Sequence, residues 1–117
     1  MSYVDGFVVA VAAENKEDYI RVAKEAAGIF KDHGALQVVE CWEDDVPEGK
    51  VTSFPMAVQR KDGEKVVFSW ILWPDRAARD EGMKKSMEDS RMNMDMSQMP
   101  FDGQRMIFGG FEKMLDL

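Results

Sequence analysis

The sequence predicts an α+β domain of the ferredoxin-like kind: one antiparallel sheet, two helices on one face and an extra hairpin strand. Three observations carry this. β-rich runs and amphipathic segments follow in the order strand, helix, strand, hairpin strands, helix, strand, which is the split βαβ pattern. The first strand is apolar at both odd and even positions, as in a strand covered on both faces. With 117 residues, 45% hydrophobic and 32% charged, the chain has the length and balance of a single packed domain over residues 1–117.

Residues 3–13, YVDGFVVAVAA, form that first strand. Asn15 suits the N-cap of the helix that follows, with Glu17 and Asp18 in its first turn and Tyr19, Val22, Ala23, Ala26 and Phe30 along one side. Gly34 ends it, because glycine takes the left-handed conformation without a Cβ clash. Residues 35–43, ALQVVECWE, make the next strand, with Val39 and Cys41 on one face and Leu36, Val38, Glu40 and Trp42 on the other. After the loop DDVPEGK, residues 53–60 (SFPMAVQR) and 65–73 (KVVFSWILW) are expected to pair as a hairpin around Asp62-Gly63. Pro55 cannot donate to a ladder and places the first of them near an edge. Pro74 stops the strand, and Asp75 caps a helix running to about Glu88 on Ala77, Ala78, Met83 and Met87. Residues 90–104 lack a period and form an ordered loop; residues 105–114 are the last strand, where Gly109-Gly110 marks a bulge or a close approach.

Two helices on one face leave the other face bare. Since the first strand is apolar on both sides, the bare face calls for a partner, and a second copy related by a twofold axis is the simplest one. The expected assembly is a homodimer whose sheets face each other.

Composition excludes several function classes. A formal charge of −7 and the lack of a Lys/Arg cluster argue against nucleic acid. No apolar run approaches the roughly 20 residues of a membrane span. Cys41 is the only cysteine, so no internal disulfide forms, and the N-terminal residues lack a basic region and cleavage pattern. The expected location is the cytoplasm.

Few side chains suggest chemistry. Asp5 and Glu40 each interrupt an apolar strand; a carboxylate in dry surroundings has a raised pKa and can act as acid or base, unless it pairs with an arginine such as Arg105. His33, the only histidine, could serve as a base or cap the negative end of the first helix. Cys41, amid apolar neighbours, suits core packing. One Cys and one His exclude an ordinary structural zinc site. Glu43, Asp44, Asp45 and Glu48 lack calcium-loop spacing. Met92, Met94 and Met96 form a soft-donor run for which Cu(I) or plain apolar cover is conceivable. Trp70 and Trp73 have opposite parity and point to opposite faces, while Trp42 shares a face with Glu40. Asp5, Glu40, Trp42 and Trp70 are therefore the candidate lining of a small-molecule site.

Four segments, YVDGFVVAV, HGALQVVECWEDDVP, FSWILWPDRAARD and MPFDGQRMIFGGFE, resemble in order and spacing the YbaA-like family of small bacterial proteins, DUF1428. The resemblance covers nearly the whole chain. It implies membership of the dimeric α/β barrel group, whose relatives include cofactor-free monooxygenases, haem-dependent peroxidases and ligand binders, so the fold selects no single activity. The expectation is a homodimer binding a small apolar or aromatic molecule between its sheets, with no metal or cofactor. A structural or interaction dimer and a cofactor-free oxygenase- or isomerase-like enzyme are the alternatives.

Overall fold

In the computed structural model, which describes residues 1–92 and 98–117, the sheet is built on β1 (Tyr3–Ala12). Its β-branched valines suit a pleated strand packed on both faces. β1 takes antiparallel partners on both sides, β3 (Glu64–Trp73) and β4 (Ile107–Glu112). β2 (Gln37–Trp42) joins the far side of β3, giving the order β2-β3-β1-β4, as the interleaved βαβ pattern requires.

The helices of the described residues are α1 (Lys16–Asp32), the short α2 (Phe54–Ala57) and α3 (Arg76–Glu88). α1 and α3 cover the same face of the sheet. Tyr19 of α1 packs on Val9, Val11 and Val67, while Phe30 of α1 and Met83 of α3 pack around Ile71 and Trp73. Asn15 occupies the N-cap position of α1 without a side-chain capping bond, so Glu17 and Asp18 are what favours that helix end. Gly34, at φ +111°, turns the chain out of the helix as expected.

The extra hairpin strand is not there. Residues 53–60 instead contain α2, and the sheet has four strands among the described residues. Ser53 Oγ accepts the Met56 N–H at 3.1 Å, and Pro55 sits in the first helical turn, where its missing N–H would have no partner anyway. Val58, just past α2, is fully buried with Val8, Ala10 and Val66. α2 thus closes one end of the sheet's second face.

α3 also differs from its expected pattern. Met87 is exposed, and the buried positions are Gly82 and Ser86. A Cβ at Gly82 would collide with the Trp73 ring and come 2.7 Å from the His33 carbonyl oxygen, so glycine is what lets α3 lie on Trp73. In β4 the register runs without a skip from Ile107 to Glu112, so no bulge occurs there; Gly110 is instead a close approach, its Cα facing the Tyr3 ring.

Away from α2 the second face is open. Val4, Trp70 and Leu72 are half-buried, and Phe68, Ile107 and Phe111 are exposed by 43%, 45% and 62%. No helix among the described residues is long and apolar enough to cross a membrane.

Candidate functional site

The pairing of β2 with β3 sets Glu40 opposite Ser69, both on the face that α1 covers. Tyr19, near the start of α1, reaches down to them, and its hydroxyl donates to Glu40 Oε1 at 2.6 Å. Beside this pair lies a cavity of about 170 Å³, walled by Phe7, Val22, Ala26, Phe30, Phe101 and Met106. An apolar cavity of about 150 Å³ is enough to admit benzene.

Glu40 is exposed to solvent at the cavity mouth, with part of its side chain against the protein. That burial pushes its pKa up, and the hydroxyls of Tyr19 and Ser69 pull it part of the way back. Burial and the adjacent Glu40 charge push the Tyr19 phenol well above its ordinary range, so it stays a proton donor in the hydrogen bond. Among the described residues no cation pairs with Glu40.

Asp5 has a different setting. It is buried, its carboxylate takes the Trp73 indole N–H at 2.9 Å, and Arg79 of α3 grips it through Nη2 at 2.8 Å and Nε at 3.1 Å. The guanidinium also stands 5.2 Å from the centre of the Tyr3 ring. Asp5 therefore ties α3 to the sheet. Its arginine is Arg79 and not Arg105, which instead binds Glu64 and Asp102.

His33 closes α1, and its Nε2 lies 2.9 Å from Asp89 at the end of α3. Arg91 bonds both Asp89 and Asp32, so the four side chains clamp the two helix ends together. Arg91 and His33 hold the Asp89 carboxyl well below the usual range. Trp42 shares the Glu40 face as expected, but stands beyond the cavity under the Lys16 ammonium, 5.1 Å from the ring centre. Trp70 belongs to the opposite face, where its indole N–H donates to Gln37 Oε1 at 3.1 Å. The fold brings Glu40 to Tyr19 and Ser69; Asp5, Trp42 and the Trp70 indole lie elsewhere.

Cys41 is half-buried on the second face and lies outside the buried core clusters. In the acidic run, Glu43 is held by Arg60 at 2.6 Å, by Lys65 and by the Val66 N–H. No group of three acidic, Cys or His side chains among the described residues could hold a metal ion. Met94 and Met96 of the suggested thioether run lie outside the described residues.

Tyr19 is the site residue that sequence reasoning passed over, because it counted as one more member of the α1 apolar stripe. The available signal was its hydroxyl, since a buried tyrosine on such a stripe needs a hydrogen-bond partner on whatever it packs against.

The family model described as "Protein of unknown function (DUF1428)" matches residues 2–103. The chain is 55% identical over 116 residues to "Uncharacterized protein YbaA" of Escherichia coli (strain K12), covering 99% of each chain. The proteins of the same name from Escherichia coli O157:H7 and Shigella flexneri match at the same identity and coverage. The four segments singled out in the sequence thus resemble the family whose model matches.

Proposed function

We propose that this chain, which belongs to the DUF1428 family, binds a small and mostly apolar molecule in the cavity between α1 and the sheet. The observation that carries the reading is the cavity itself: an apolar space of about 170 Å³ into which one hydrogen-bonded polar pair, Glu40 and Tyr19, converges. Apolar walls with few polar groups are what small-molecule sites have in common. The space between two sheets is the weaker location for the ligand, because of the four residues first suggested only Trp70 faces it.

Titration of the full chain with toluene, followed by the methyl NMR signals of Ala23, Ala26 and Met106, tests this. Those methyls line the cavity and are expected to shift together and to saturate. Unmoved signals at millimolar toluene would remove the reading.

A second reading, compatible with the first, is a homodimer formed through the open sheet face. Phe68, Ile107 and Phe111 on that face are exposed by 43%, 45% and 62%, apolar surface that a second copy would cover. We place the protein in the cytoplasm, where a partly exposed free thiol such as Cys41 persists.

A further inference from the structure

We infer that the cavity selects small apolar amines, with the ammonium group at Glu40 and the hydrocarbon part against Val22, Ala26, Phe30 and Met106. This rests on the binding function proposed above and names its ligand class.

The cavity holds a carboxylate and no charge to balance it. Of the described side chains that line it, Glu40 and Tyr19 alone titrate, and neither is a cation. Residues 93–97, NMDMS, contain no Lys, Arg or His, so that segment supplies none either. The buried carboxylates of this protein each have a cation: Asp5 has Arg79, Glu43 has Arg60 and Glu64 has Arg105. Glu40, exposed at the cavity mouth, has none among the described residues; it accepts from the Tyr19 hydroxyl, which satisfies a hydrogen bond and leaves the charge. A ligand ammonium supplies both a countercharge and up to three N–H donors to this carboxylate.

Size and long-range field agree. A cavity slightly larger than one that admits benzene takes a single ring or a short branched chain with one amine. The net charge of −7 draws cations toward the protein and repels anions.

Three benzyl probes, the isosteric benzylamine and benzyl alcohol and the slightly smaller toluene, can be titrated into wild-type protein and into Glu40→Gln at neutral pH. Benzylamine is expected to bind wild type about tenfold or more tightly than the other two, the usual advantage of a hydrogen bond to a charged partner. Glu40→Gln is expected to erase that preference and leave toluene within about twofold, since a neutral amide replaces the carboxylate without emptying the cavity. Toluene binding to the variant also reports that it is folded. Equal affinity for the amine and the alcohol, or an amine preference that survives Glu40→Gln, overturns the inference while leaving the binding function intact. Failure of all three to bind wild type overturns both.

Discussion

At the scale of single residues, the charged groups divide by whether a cation reaches them. Glu64 and Arg105 make the cleanest pair: Arg105 Nη1 and Nη2 meet the two carboxylate oxygens at 2.9 and 2.8 Å, and both side chains are largely buried. The guanidinium holds the Glu64 pKa at about 2, down from 4.5. Because the folded value is the lower one, the pair stabilises the fold fully above pH 4.5 and loses that contribution as pH falls toward 2. Glu64→Gln should cost on the order of 1 to 3 kcal/mol at pH 7, the upper end being the full shift and the lower allowing for screening. Urea unfolding of both proteins at several pH values checks this: the gap between them should close as pH drops from 4.5 toward 2. Glu40 has no such partner among the described residues, and burial shifts its pKa the other way. That contrast within one chain is what the proposed ammonium site at Glu40 rests on.

At the scale of elements, two glycines in helices face opposite situations. Gly28 in α1 has nothing within 4 Å of where a Cβ would stand, whereas at Gly82 in α3 that Cβ meets the Trp73 ring. Gly28→Ala should raise stability by about 0.5 to 1 kcal/mol through helix propensity alone. Gly82→Ala gains the same propensity but must push α3 off the sheet, at about 1 to 3 kcal/mol, and should come out destabilised. Thermal unfolding of the two variants in parallel separates the effects; equal shifts would mean that α3 does not rest on Trp73. Long periodic elements were legible in the sequence for the same physical reasons that form them. β1 shows apolar residues on both faces, and α1 shows its stripe from Tyr19 to Phe30. α2 was not legible: four residues are too few to display a period, and Pro55 fits an edge strand as well as a first helical turn. The buried face of α3 was hidden because Gly82 and Ser86 do not register as apolar. The Glu40 position stood out as a charge within an apolar strand, while its partner Tyr19 lies 21 residues away on another element, a pairing that only the fold creates.

At the scale of the whole molecule, the protein is a slab of 38 × 35 × 20 Å, one layer of helices on one layer of sheet. Helices cover the first face; among the described residues the second has only the helix α2, at one end. On the open part, Phe54, Phe68 and Trp70 form a chain of ring contacts at 6.0 and 5.8 Å that leads toward solvent, and Ile107 and Phe111 extend the apolar surface onto β4. No charged side chain of β1 or β3 interrupts this face between Val4 and Val8 or between Val66 and Leu72. A face of this composition is unfavourable in water as a large contiguous patch, and a second copy of the same face is the partner proposed for it. Native mass spectrometry at micromolar protein should therefore give twice the 13.3 kDa chain mass. Phe111→Glu should return it to one chain, because the substitution puts two like charges into a desolvated interface while disturbing little in the protomer, where the Phe111 side chain is already mostly exposed. An unchanged circular dichroism spectrum would show the variant to be folded. A wild-type mass of one chain, or a dimer that survives Phe111→Glu together with Phe68→Glu, would mean that the open face has some other cover. The cavity under α1 lies on the opposite side of the sheet from the open face, so Phe111→Glu should keep the toluene-induced methyl shifts, and the proposed binding and assembly can be tested separately.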